Sequence, residues 1–293
     1  MTNAPEDHKR RGPGTEPSPE ALPARRLPAR AATGTVMGVQ LVNLSQQEAV
    51  DHIVSCASRG EGGRMVNINV DVLRLMVADP AVRQVIGEAE LVLADGVPIM
   101  WASRLQGTPL KQRVAASEAI WPLCSEAASR GMAVFLLGAP PGTARRAGEV
   151  LAARYPGLVF GHHCPPFGFE HSDEATSEIY KAIEEAGPKI VFCALGTPKA
   201  ERLMEVLSAR FPALWFVTSG GTLSMVAGDT PKAPVWMSRS GLEWLHRLRL
   251  EPRRLFERYI VHDLPFVFRL LASSARARFS GRPAVAGSPG HSK

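Results

Sequence analysis

One carboxylate, two amides and a set of glycine-rich turns carry the chemistry this sequence can offer. Asp95 follows the apolar run LVLA (91–94) and precedes Gly96. A strand ending on Asp-Gly directs a carboxylate out beyond the sheet at a tight turn, since Gly takes backbone conformations closed to other residues. Two roles suit Asp95: a general base for a substrate hydroxyl, or a cap on the next helix. Asn67 and Asn69 alternate within MVNINV (65–70), so on a strand both amides face one side. They serve either as hydrogen-bond partners of a polar ligand or as a turn-forming pair.

Three turns follow apolar runs in the same way. GAPPGTARRAG (138–148) passes from an apolar run into a helical one, and Gly138 and the helix start it feeds suit a phosphate. The stretch is neither the dinucleotide glycine fingerprint nor a Walker loop, and its two prolines remove backbone donors. GTPKAE (196–201) repeats the arrangement with Gly196, a proline, Lys199 and Glu201. A cation in a first helical turn opposes the helix dipole, so a ligand phosphate is one reason for Lys199 and plain solvation the other. Gly220-Gly221 opens a turn-rich segment to about residue 237, able to wrap a nucleotide or merely to connect. His162-His163-Cys164 has no second pair at ligand spacing, and neighbouring strand residues face opposite sides, so no metal site is expected. The absence of any Asp-x-Asp removes the simplest carboxylate clamp for a metal-bound nucleotide sugar.

The elements that must position these residues alternate along the chain. Ser45 and Glu48 form a capping box that opens a helix to about residue 59. Asp79-Pro80 starts another to about 88, Ser172 caps one to about 186, and further helices are expected near 97–105, from Ser117, and over 141–154 and 198–210. Between them lie apolar runs at 65–70, 91–95, 133–138, 158–161, 189–196 and 214–221. Strands without polar alternation, separated by amphipathic helices, predict an α/β fold with a Rossmann-like, mostly parallel sheet covered by helices on both faces, from about 35 to 240. Ligands of such sheets sit beyond the carboxyl ends of the strands, where all the turns named above fall.

Residues 1–34 are rich in Pro, Arg, Glu and Ala and read as a disordered leader, and the tail from 281 reads likewise. The formal charge is +6, and the ten basic and four acidic side chains from Gly241 to Lys293 account for all of it. Within 241–280, Trp244, Leu245, Leu248, Leu255, Phe256 and Tyr259 recur at helical spacing with Arg between them. That is a basic amphipathic helical appendage suited to an anionic membrane face, or to packing on the main domain. Nucleic acid is not expected as a partner, because no helix-turn-helix or RNA-binding signature accompanies the charge. The four Cys include no CxxC pair, and the N-terminus lacks a secretory signal, so a soluble or peripheral protein of the reducing cytoplasm is expected.

Eight segments in register resemble the WecG/TagA/CpsF glycosyltransferases, glycosyltransferase family twenty-six. They are NINVDVL (67–73), AELVLADG (89–96), LKQRVAASE (110–118), VFLLGAPPG (134–142), YPGL (155–158), ALGTPKAE (194–201), the GG…AG…KAP series (220–234) and GLEWLHRLRLEPRRLFERY (241–259). The resemblance implies a metal-independent, inverting transfer, without a cofactor, of a sugar from a UDP-sugar to a polyprenyl-diphosphate-linked glycan by a protein peripheral on the inner membrane face, with homo-oligomers possible in the family. It assigns Asp95 the catalytic base and Asn67 and Asn69 its partners. Gly96, Arg113, Gly138, Gly196, Lys199 and Glu201 become substrate-binding candidates, as do Gly220 and Gly221. The leaving diphosphate would meet Lys199 and the appendage arginines Arg247, Arg253, Arg254 and Arg258, if that segment folds over the crevice. The chain departs from the family at Ala200, where Gln is usual, at Gly-Gly-Thr-Leu-Ser (220–224), where GGxFD is usual, at Ala116 for Gly, and at Asn67 for Thr. A nicotinamide- or nucleotide-dependent enzyme on the same fold and a non-catalytic membrane scaffold are the alternatives.

Overall fold

The computed structural model describes residues 33–240 and 242–280, apart from the side chains of Val235, Ser238, Arg239, Arg254 and Ser280. The expected leader up to residue 32 and the tail from 281 lie outside the described residues. The chain opens with a hairpin, β1 (Thr33–Val36) and β2 (Val39–Val42), paired antiparallel. Thr33 and Gly34, read from composition as leader, are therefore strand. The two-residue turn places both Met37 (φ 49°) and Gly38 (φ 75°) at positive φ, the backbone that matches the twist of a hairpin. Met is a poor residue for that position, which hid the hairpin from pattern reading.

Then follow α1 (Gln46–Ser58), β3 (Gly63–Ile68), α2 (Val70–Ala78), α3 (Pro80–Gly87), β4 (Leu91–Ala94), α4 (Val97–Leu105) and α5 (Ala116–Ser129). Next come β5 (Val134–Gly138), α6 (Thr143–Arg154), β6 (Phe160–His163), α7 (Asp173–Ala186), β7 (Ile190–Ala194), α8 (Lys199–Arg210) and β8 (Trp215–Thr218). The last segment holds α9 (Thr222–Val226), α10 (Val235–Ser240), α11 (Glu243–Leu250), α12 (Pro252–Phe256), a π-helical stretch (Glu257–Asp263) and α13 (Leu264–Ser280). The capping box at Ser45 and the caps at Asp79 and Ser172 are present. α2 was not expected. Its Val72, Leu73 and Met76 are buried at helical spacing, but the valines around them read as strand. Asn69 stops the strand by capping that helix instead of continuing β3.

Strands β3 to β8 form one parallel sheet in the order β4-β3-β8-β7-β5-β6. Alternate residues feed two cores. Val66, Phe135, Val191 and Phe216 face α2, α3, α4, α7, α8 and α13. Met65, Leu136, Phe192 and Trp215 face α1, α5, α6 and α9. A sheet buried on both faces needs apolar residues at every strand position, which is why the strands read as unbroken runs.

From β3 across to β6 the chain leaves each pair of neighbouring strands toward opposite faces. β5 exits to α6 on one face, while β7 exits to α8 on the other. β8 likewise exits to α9, opposite α2 after β3. Where outgoing loops diverge, the carboxyl ends of the strands border a crevice.

Candidate active site

Asp95 stands at the end of β4, and its backbone N–H donates to the Ile68 carbonyl at 2.7 Å, locking the turn onto β3. It does not cap α4, whose N-cap is Gly96 with no side-chain cap bond. Its carboxylate accepts from Arg113 Nη1 at 3.1 Å. The other Nη of Arg113 is held by Glu118 in the first turn of α5. Side-chain exposures of 25% for Asp95 and 20% for Arg113 leave the pair reachable from the crevice but largely out of bulk water. Burial raises the Asp95 carboxyl to about 7; Arg113 works against the rise, and Glu243 and Glu118 add to it.

Asn67 is the support for this pair. It is buried, its amide nitrogen donates to the Val114 carbonyl at 2.7 Å, and its backbone N–H donates to Thr218 Oγ1 at 3.0 Å. Val114 N–H in turn donates to the Ala94 carbonyl at 2.8 Å. Asn67 therefore staples the loop carrying Arg113 to β3 and β8, one residue away from the ion pair. Asn69 does not share its strand face. It lies beyond the end of β3, and its Oδ1 accepts from Val72 N–H at 3.0 Å as the cap of α2.

Gly138 marks a close backbone approach. Gly138 has φ 92°, and a Cβ there would stand 2.7 Å from Leu195 Cδ2 and 2.8 Å from the Ala194 carbonyl. Gly196 (φ 77°) and Gly220 (φ 46°) turn the chain after β7 and β8. Thr143 and Arg146 at the start of α6 both bind the Asp229 carboxylate, at 2.8 and 2.6 Å. That clasp ties the β5 turn to the segment after α9, and nothing in the local sequence pattern signals it.

The expected cations divide into used and available. Lys199 is paired with Glu170, and its Nζ lies 4.9 Å from the centroid of the Phe167 ring, so it is not a free phosphate ligand. Arg258 binds Asp71 of α2 at 2.9 Å, lies 3.9 Å from Asp263, and stacks on Tyr259. It fixes the appendage to the domain instead of facing the crevice. Asp263, buried in that cluster and near Asp71, is raised to about 6 by burial first and the like charge second. Arg247 of α11 does reach the strand ends. Its Nη2 is 3.6 Å from where a Gly221 Cβ would stand and 3.8 Å from the Met225 sulfur. Glu243, one turn earlier, lies 3.7 Å from Arg247 and acts electrostatically on both Asp95 and Arg113. Arg253 is exposed on α12, with no contact that brings it to the crevice, and the side chain of Arg254 lies outside the described residues. Glu201 is buried, and its Oε1 accepts from the Thr197 hydroxyl at 2.8 Å, so it braces the β7 turn and is not open to a substrate as expected. Among the described residues no group of three or more His, Cys, Asp or Glu side chains could hold a metal ion.

A carboxylate poised near neutrality beside an arginine, at the carboxyl ends of a parallel sheet and under a helical appendage, is an arrangement in an α/β protein that could take a proton from a bound hydroxyl. The glycosyl transferase WecG/TagA/CpsF family matches residues 34–280, and the chain belongs to that family. It is a glycosyltransferase. A similar protein is the N-acetylglucosaminyldiphosphoundecaprenol N-acetyl-beta-D-mannosaminyltransferase of Bacillus subtilis (strain 168), 25% identical over 223 residues, which span 76% of this chain and 85% of the relative. The nicotinamide alternative falls with this assignment.

Proposed function

We propose that this enzyme moves a hexose-type sugar from a UDP-sugar to a polyprenyl-diphosphate-linked glycan during polysaccharide biosynthesis at the cell envelope. The reading rests on one observation above all. Asp95, largely withdrawn from water yet reachable, is held by Arg113 at 3.1 Å at the mouth of the sheet. A general base works best with a pKa near the working pH, and a value of about 7 satisfies that.

The reaction is a single in-line displacement. Asp95 accepts the proton of the acceptor hydroxyl as that oxygen bonds to the anomeric carbon. The bond from that carbon to the diphosphate breaks, UDP leaves with the electron pair, and the anomeric configuration inverts. Charge on the leaving group needs preorganised cations and N–H donors. Arg247, whose Nη2 lies beside the Gly221 turn, is the candidate for this role. No metal takes part in the proposed step.

The acceptor lipid is presented by the membrane. The appendage exposes Trp244, Leu245, Phe256, Val261 and Phe268 beside exposed Arg249, Arg253 and Arg269. No helix among the described residues is long and apolar enough to cross a membrane. Apolar side chains interleaved with arginine suit an interfacial surface on the inner, anionic face. Since the same segment supplies Arg247 to the crevice, docking and site assembly are coupled in this reading.

The test is a panel of UDP-sugars with a synthetic polyprenyl-diphosphate acceptor, with and without EDTA. One donor should release UDP and extend the acceptor at an EDTA-insensitive rate, and Asp95→Asn should lower that rate by roughly a hundredfold or more. Undiminished turnover by a folded Asp95→Asn protein would remove the base, and no transfer from any UDP-sugar would remove the donor class.

A further inference from the structure

We infer that the outward face of α4, with Trp101, Arg104 and Leu105, is a second lipid contact that seats the strand ends against an anionic membrane. The inference rests on the membrane reading above and adds the catalytic domain itself to the contact. Ile99, Met100, Ala102 and Ser103 are buried on the inner side of α4. Trp101 and Leu105 stand one turn apart on the outer side, 45% and 40% exposed, with exposed Arg104 beside them. Much of each apolar side chain is therefore left out of the core, although the rest of the helix is well packed.

Charge and neighbourhood choose the partner. α13 packs along α4, and its Phe266 and Leu270 enter the same core as Ile99, Met100 and Ala102. The two helices thus cover one core side by side, and their outward faces adjoin. The outward arc of α13 carries Leu264, Phe268, Arg269, Arg276 and Phe279, all exposed. No acidic residue occurs from Gly96 to Ser117 or from Leu264 to Lys293, so the charge on both faces is positive. Tryptophan, phenylalanine and leucine among arginines, without a carboxylate, complement anionic headgroups, with the aromatic rings at the interface. A second copy fits less well, because a face paired with itself sets like charges together.

The place of α4 in the chain gives the contact its use. The helix begins directly after Asp95 and Gly96, and Trp101 lies on its second turn. That is about 9 Å of helix rise from Asp95. Interfacial helices bury their apolar side about 5–10 Å into the boundary between headgroups and acyl chains. With Trp101 in that layer, the carboxylate stands within about 10 Å of the headgroups. A glycan joined to a polyprenyl chain by a diphosphate cannot rise far above the bilayer. The appendage holds the protein to the membrane, and α4 sets the height at which Asp95 meets the acceptor hydroxyl.

The experiment is flotation of the full chain with phosphatidylglycerol–phosphatidylcholine vesicles, with tryptophan quenching by brominated phosphatidylcholine read on the same samples. Trp101→Gln combined with Leu105→Gln should weaken vesicle partitioning about tenfold or more and leave the circular dichroism spectrum unchanged. Trp101→Phe should partition like wild type and lose part of the bromolipid quenching, because the indole at that position reports from the lipid. Three results overturn the α4 contact. They are wild-type partitioning by the double variant, equal quenching in wild type and Trp101→Phe, and dissociation of a wild-type oligomer by the double variant with vesicle binding intact, which would make the face a contact between copies. Wild-type partitioning by the double variant, together with release by charge reversal at Arg249 and Arg253, would leave the appendage as the whole anchor and the membrane reading standing. A wild-type protein that does not float with the vesicles refutes that reading and the α4 contact with it. If the double variant misfolds, the quenching of Trp101→Phe decides alone.

Discussion

Replacing Arg113 by glutamine should move the acid limb of the kcat/KM profile upward in pH. The guanidinium stands 3.1 Å from the Asp95 carboxylate with both groups mostly buried, and it favours the ionised form. An opposite charge at such range holds a carboxyl down by about 1–3 pH units. Without it, the Asp95 carboxyl should rise from about 7 to about 8–10. Glu118, deprived of its partner, adds repulsion of the same sign. At pH 7 the ionised fraction would then fall from about one half to between about one-tenth and one-thousandth, a loss of about five- to five-hundredfold in kcat/KM. The assay is UDP release under subsaturating donor from pH 5.5 to pH 10, a range spanning both forms of the base. Activity should recover in part toward alkaline pH as the Asp95 carboxyl ionises. Glu243→Gln should shift the limb the other way, because Glu243 raises the same carboxyl. An acid limb that stays in place in both variants, or moves in the same direction in both, would refute Asp95 as the titrating base.

Charge reversal at Arg249 and Arg253, both exposed on the appendage, should release the protein from anionic liposomes in sedimentation and leave the melting temperature unchanged. This is a cleaner test than deleting the segment, because Phe266 and Leu270 of α13 belong to the core and their loss would damage the domain. Gly138→Ala should cost about 1–3 kcal/mol in chemical denaturation, since it adds a Cβ 2.7 Å from Leu195 at a φ of 92°; a wild-type midpoint would show that the β5 turn relaxes freely.

Much of the architecture was legible because it depends on local pattern. Ser45 with Glu48, Asp79 with Pro80, and Ser172 each satisfy their own helix start. The apolar runs could only be strands of a sheet covered on both sides. Once that sheet was expected, the crevice followed, since ligand sites lie at the carboxyl ends of its strands. Asp95 and Gly138 became candidates for that reason. The β1–β2 hairpin was missed because its turn uses Met37 where Asn or Gly is usual, and α2 was missed because its valines favour strand.

Side-chain partnerships were not legible, and they decide which candidates remain available. Lys199 and Arg258 look as free in the sequence as Arg247 does. The fold pairs Lys199 with Glu170 and Arg258 with Asp71, and sends Arg247 to the Gly221 turn. Asn67 and Asn69 look equivalent two residues apart, yet one staples the Arg113 loop and the other caps a helix. Glu243, 148 residues after Asp95 along the chain, comes to act on it only because the appendage folds back over the strand ends. Secondary structure answers to neighbours within a few residues, so the amino-acid order determined the sheet, its helices and the edge where chemistry happens. Charge pairing and burial depend on which distant segments pack together, so the tertiary structure alone decided which cations are spent, which carboxyl is lifted toward neutrality and which aromatic ring is left facing solvent.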